Sequence, residues 1–337
     1  MPPSAAVPAI VLVFFSVVPG AAQLTVDEHR VDSAFSFVQE GRYDEAAAMI
    51  RLVDELDENE WLELHGVPAQ HWAAVEYLPA IERLRAGNTE DTFFSSDHFR
   101  FHVRGEPLSS EERDRVTRIY ETALDRIVEW AGAQDDWTRA EHRLVFVEIA
   151  ESFPTPSPAR TLIFFWDRQD RAPRMELTRR ALDPRFLTAV VAHELTHAVL
   201  PHTSRPFAEG MANLVARETF PDHPNPIRSR GPTGAPWSLE EVLRFNVRAE
   251  GEKAKRQIEL LQAGGFSPEA TQLTMRMYSH GDDLVGMILD RWGRETLLDV
   301  YRETNRDPNT SDIVQQFEEM LGTPEELRRL WSERTEG

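Results

Sequence analysis

The chain has 337 residues, 41% of them hydrophobic, enough for one large or two ordinary globular domains with a sizeable core. Its 57 acidic residues against 37 basic ones give a formal charge of -20, which repels phosphate backbones and anionic lipid surfaces and excludes nucleic acid as an expected partner. There is no cysteine, so thiolate and disulfide chemistry are excluded too, and a transition-metal site has to be built from His and carboxylate ligands.

In chain order, an apolar run from about Val7 to Val18 is followed by Pro19 and the small residues Gly20, Ala21 and Ala22. This predicts a signal peptide over residues 1–22, cut after Ala22, and hence export to a periplasm or the exterior. The positive charge that usually precedes such a run is missing, so an uncleaved membrane-anchoring segment stays open as the alternative. No later stretch approaches the roughly 20 apolar residues that a membrane-spanning helix needs, so no further membrane insertion is expected.

Residues 23–90 read as a helical N-terminal segment. Ala34, Phe37, Val38, Ala46, Ala47, Ile50 and Val53 recur at helical spacing around Gly41, in a pattern that resembles one tetratricopeptide-like hairpin. A single hairpin cannot stack into a solenoid, so either a helical cap or small domain, with a surface for a protein partner, or ordinary helices packed on the body of the protein are expected.

From residue 91 to 335 a second, larger unit is expected. FRFHV at 99–103 and RLVFVEI at 143–149 carry strand-type residues around a helix from about Ser109 to Ala131, which opens with SSEER. TLIFFW at 161–166 reads as a third strand, and its continuous apolar run predicts a buried one. A proline-rich loop, FPTPSPA, precedes it at 153–159. Asp183 and Pro184 are suited to start the next helix, which Pro201 stops. A further helix spans about Phe207 to Phe220, Ser238 with Glu241 forms a capping box, and the rest to Trp331 is mostly helical. The expected class is α+β, predominantly helical.

The helix ending at Pro201 carries the chemistry. Leu187, Val191, Leu195 and Val199 form an apolar stripe, and most remaining positions are apolar as well, so the helix is expected to be buried. Burying His193, Glu194 and His197 within it is costly unless something satisfies them. The segment His193-Glu194-Leu195-Thr196-His197 is HExxH, which sets two imidazoles one turn apart, where both reach one ion. Glu194 lies beside them, placed to take a proton from a water rather than to ligate. A catalytic zinc needs a third protein ligand. Glu209, early on the following helix, is the stronger choice, with His202 as its rival. The spacing HExxHxxGxxH does not apply, because Leu200 and Thr203 stand where Gly and His are required.

HELTHAVL followed by PFAEGMANLVA resembles the gluzincins, and more specifically the bacterial peptidase-MA-like proteins. The likeness extends through PWSLEEVLRF and YSHGDDLVGMILDRWGRETLLDVY to EELRRLW, covering about Phe99 to Trp331. It implies a zincin-like catalytic domain, with a small mixed sheet and an active-site helix followed by a helical C-terminal half. It also implies a Zn2+ cofactor on His193, His197 and Glu209, and hydrolysis of a peptide or protein substrate with Glu194 as general base. By the same resemblance Tyr278 stands where an oxyanion donor is common, with His280 as substitute. Asn213, one turn past Glu209, could accept the free N–H of a ligating imidazole. Gluzincins often carry an acid there, so the Asn is a departure, and a merely packed Asn remains equally open. The alternative function is a non-catalytic zinc-binding or protein-interaction protein with a peptidase-like fold.

Overall fold

In the computed structural model of the chain, the described residues are 26–52, 72–133, 144–152, 159–162, 173–202, 204–223, 236–245, 268–305 and 312–336. The expected signal segment at 1–22, the loop at 153–158 and residues 163–166 of the third strand lie outside them.

Helix α1 (Val26–Gln39) turns at Gly41, whose φ of 73° suits glycine, into α2 (described over 43–52). Two consecutive helices thus occupy residues 26–52. With α3 (Trp72–Arg85), they pack over one face of a sheet. Phe35 lies at the centre, edge-on to Tyr77 and Phe93 at centroid distances of 5.0 and 4.9 Å, with Phe146 beside it at 6.0 Å. The apolar side of these helices is thus occupied by the sheet.

The sheet contains β1 (Asp91–Ser95), β2 (Phe99–Arg104), β3 (Val145–Ala150), β4 (Ala159–Leu162) and β5 (Arg174–Thr178). Its order is β1-β2-β3-β5-β4, with parallel β2/β3 and β3/β5 pairs flanked by antiparallel pairs at both edges. A parallel pair needs a crossover, and α4 (Ser110–Ala131) provides it between β2 and β3. Ser109 and Glu112 close a capping box at its start. Two of the five strands, β1 and β5, were not anticipated. Of the third expected strand, Thr161 and Leu162 are described and belong to β4 (Ala159–Leu162), which stands at an edge of the sheet among the described residues.

Alternation along the strands separates two faces. Phe99, Phe101, Val103, Val145, Val147, Ile149, Met175 and Leu177 face the main core with the later helices. On the other face His102 pairs with Glu148, and Glu148 with Glu176, in one row across β2, β3 and β5. All three are buried, as are Asp91 and Arg174. Such groups are tolerated only when paired: His102 Nε2 is 2.9 Å from Asp91 Oδ1, and Arg174 donates to Glu148 at 2.6 Å and to Glu176 at 3.2 Å.

The HExxH helix, α5, spans Leu187–Val199 and packs against α4, β4 and α6 (Arg205–Thr219). It begins a few residues later than expected. Its N-cap is Phe186, and Asp183 lies in the turn before it, where its carboxylate accepts the backbone N–H and guanidinium of Arg185. Helix α6 starts two residues earlier than expected, with Pro206 in its first turn, where a missing N–H costs nothing. After α7 (Leu239–Leu243), capped by Ser238 and Glu241 as anticipated, the long α8 (Pro268–Glu303) crosses α6 and breaks at Gly293. Helices α9 (Ile313–Leu321) and α10 (Pro324–Glu336) complete an α+β fold that is mostly helical. Among the described residues no helix is long and apolar enough to cross a membrane.

Candidate metal centre

Three helices each contribute residues one turn apart on the same face: His193 and His197 from α5, Glu209 and Asn213 from α6, and Tyr278 and Asp282 from α8. The close approach of α6 to α8 depends on two glycines. A Cβ on Gly210 would come within 2.1 Å of the Gly281 carbonyl oxygen, and one on Gly281 within 2.1 Å of the Pro206 carbonyl oxygen. Only the absence of both side chains lets the two backbones touch.

The end of α5 is buried, so its carbonyl groups need partners. Tyr301 donates its hydroxyl to the Leu200 oxygen at 2.9 Å, and Asn305 donates to the Pro201 oxygen at 2.7 Å. The turn into α6 is thereby fixed, and with it the distance from the histidines to Glu209.

His193 Nε2 lies 3.1 Å and His197 Nε2 3.4 Å from the same oxygen, Glu209 Oε2. His193 and Glu209 are buried, while His197 keeps some exposure at 14%. One ligand atom from each of the three residues lies within 4.8 Å of the others, so the group could hold a metal ion. A tetrahedral ion bound at about 2.0–2.1 Å separates its ligands by about 3.4 Å, close to these two contacts. The donor set is thus one buried carboxylate and two imidazoles, one of them partly open.

The other oxygen, Glu209 Oε1, accepts from Arg205 Nε at 2.7 Å. Burial pushes the Glu209 carboxyl upward, but Arg205 and the two imidazoles outweigh it and hold it well below the usual carboxylate range. It is therefore ionised and ready to ligate through Oε2. For His193, burial works against protonation, yet the Glu209 hydrogen bond and charge, with smaller contributions from Glu194 and Asn213, raise its pKa. Protons and a metal compete for the same nitrogen.

Glu194 is buried and does not join the three-atom group. Its carboxylate accepts from Thr161 Oγ1 of β4 at 2.8 Å, and the same hydroxyl lies 2.8 Å from the Glu194 carbonyl oxygen. The Tyr278 ring centroid is 6.1 Å from that of His193. Burial and then the negative charge of Glu209 push the phenol well above its usual range, so it is a donor at any ordinary pH.

The remaining expected residues divide clearly. Asn213 donates to Asp282 Oδ1 at 3.0 Å beside His193. His202 is outside the cluster: its Nε2 is 3.1 Å from the Thr304 hydroxyl, and its Nδ1 accepts from the Ser204 N–H at 2.9 Å. Burial lowers its pKa to about 3, so it is a neutral core histidine. His280 is fully buried and accepts the Trp237 N–H at 3.2 Å, which engages it away from the three ligand atoms.

Three residues at the centre escaped the sequence reading. Arg205 and Asp282 could have been found from helical spacing, being one turn from Glu209 and Tyr278. Thr161 carried no local signal, because its contact with Glu194 spans 33 positions. No model of a known protein family matches the chain, and no curated protein matches it either.

Proposed function

We propose that the protein is a zinc-dependent peptidase of gluzincin type, with a zincin-like catalytic domain resembling the peptidase-MA-like family. The observation that carries this reading is the convergence of His193 Nε2, His197 Nε2 and Glu209 Oε2 next to a separate buried carboxylate, Glu194. A structural site has no use for that extra acid and is usually closed by four ligands.

His193, His197 and Glu209 would hold the ion. Bound zinc acts as a Lewis acid that acidifies water and polarises a carbonyl. Glu194 takes a proton from the attacking water as its oxygen adds to the scissile carbonyl carbon, and it returns that proton to the amide nitrogen as the C–N bond breaks. A carboxylate and an amine leave. The Thr161 hydroxyl holds Glu194 in place. Tyr278 donates to the oxyanion of the tetrahedral intermediate. Among the described residues strand β4 stands at an edge of the sheet and adjoins α5, and an extended peptide would be aligned as an added strand beside it.

The test is zinc per chain together with cleavage of an unbiased peptide library by wild type, Glu194→Gln and chelated protein. One zinc per chain, with cleavage that chelator and Glu194→Gln both abolish, supports the reading. Zinc bound without cleavage by the wild type favours a non-catalytic zinc protein instead.

A further inference from the structure

The oxygen of Glu209 that does not face the histidines is held by a donor at the rim of the centre. Arg205 opens α6 one turn before Glu209, and its Nε donates to Glu209 Oε1 at 2.7 Å. The Glu209 side chain is 1% exposed and that of Arg205 52%, so the contact joins a buried acid to a half-open base. Pairs at this spacing that serve only a helix surface have both partners in solvent, as Arg329 and Glu333 do at 57% and 58% exposure, and they contribute little. The backbone beneath Arg205 is fixed as well. Its N–H lies 3.4 Å from the Phe245 oxygen, and the next carbonyl, that of Pro206, abuts Gly281 of α8. A carboxylate can ligate an ion through one oxygen or both. Here Oε2 is the oxygen that His193 and His197 approach, at 3.1 and 3.4 Å, and Oε1 is the one that Arg205 engages.

We infer that Arg205 is a positioning residue for the metal centre, tying down Glu209 Oε1 so that the carboxylate ligates through Oε2 alone. The inference rests on the zinc reading above and adds to it how Glu209 coordinates. Two imidazoles and a single oxygen leave a tetrahedral ion with its fourth position open. With Oε1 untied, both oxygens can turn to the ion, and the second one takes up the open position. Hydrogen bonds to a ligating carboxylate orient it, and losing such a partner typically costs about 10–100-fold in metal affinity or activity. The charge of the guanidinium acts in the opposite sense, since a cation beside the ion repels it. Deleting a mere bystander charge would therefore tighten metal binding.

The experiment separates the donor from the charge. Gln places its amide nitrogen, and Met its terminal methyl, at the position along the side chain that Nε holds in Arg. Arg205→Gln thus keeps a donor for Oε1 and Arg205→Met does not, while both delete the charge. Zinc affinity is measured by competition with a chromophoric chelator at about pH 8, where an ordinary carboxyl group is ionised, and the cobalt(II) absorption spectrum of each protein is recorded alongside. Arg205→Met is expected to bind zinc about 10-fold more weakly than wild type, with the weaker cobalt absorption of a higher coordination number. Arg205→Gln is expected to stay close to wild type in both. Unchanged or tighter binding in Arg205→Met, or Gln and Met variants weakened alike, overturns the inference while leaving the zinc site standing. Should Arg205→Met fail to fold, Arg205→Gln decides alone, and an affinity about 10-fold below wild type overturns the inference. A wild type that binds no zinc overturns both this inference and the proposed function.

Discussion

The hydroxyl of Thr161, on edge strand β4, lies 2.8 Å from a carboxylate oxygen of Glu194 on the HExxH helix. One side chain thus joins the sheet edge, where a peptide would lie, to the proposed base. Thr161→Val keeps the shape and deletes the hydroxyl. The expected result is a fall in kcat of about fivefold, the equivalent of one net hydrogen bond of about 1 kcal/mol, with zinc content unchanged. Thr161→Ser should retain most of the activity, and steady-state kinetics on the first peptide found to be cleaved checks both.

The two candidates for the third ligand, Glu209 and His202, are separated by a ligand-deletion pair. Glu209→Ala is expected to empty the site, because Oε2 is the atom that both imidazoles approach. His202→Ala is expected to keep one zinc per chain and to lose about 1–3 kcal/mol of stability, since it removes the buried acceptor of the Ser204 N–H and the contact to the Thr304 hydroxyl. Metal analysis and denaturant unfolding of the two variants distinguish them.

Gly210→Ala tests the crossing of α6 and α8. A methyl group there meets the Gly281 carbonyl oxygen at 2.1 Å, so the helices must separate. Overpacking of this kind costs about 1–3 kcal/mol, and here it also shifts Glu209 away from the histidines. Reduced melting temperature with weakened zinc binding is the expected pair of results, whereas an alanine variant with wild-type affinity would show that the crossing does not set the site.

Much of this centre was legible in the sequence because its geometry is local. His193, Glu194 and His197 are fixed by one helical turn, and Glu209 follows once the next helix folds back at Pro201. The α4 and α7 capping boxes are local too, formed by Ser109 with Glu112 and by Ser238 with Glu241. What escaped depends on strand order and helix crossing. The apolar run around Thr161 does not say whether its strand is central or at an edge, and nothing near Asn213 announces Asp282. Asp183, expected at the start of α5, pairs instead with Arg185 two positions on.

The second face of the sheet gives a pH prediction. Burial pushes the Asp91 carboxyl up, but hydrogen bonds from His102 and Arg83 outweigh it and bring it from the ordinary 3.8 down to about 2. A depressed carboxyl stabilises the fold above its unfolded pKa, and that contribution disappears as pH falls through the folded value. Asp91→Asn is therefore expected to cost about 2 kcal/mol at pH 5, with the gap to wild type closing between pH 3.8 and about 2. Urea unfolding of both proteins across this range checks the sign. A gap that widens on acidification would contradict the pairing.

The most direct test of the central claim is an anomalous difference map at the zinc edge from crystals grown with zinc. A single strong peak about 2.1 Å from His193 Nε2, His197 Nε2 and Glu209 Oε2 is the predicted result. A zinc peak elsewhere, or none at this position with the three side chains still converging, would contradict it.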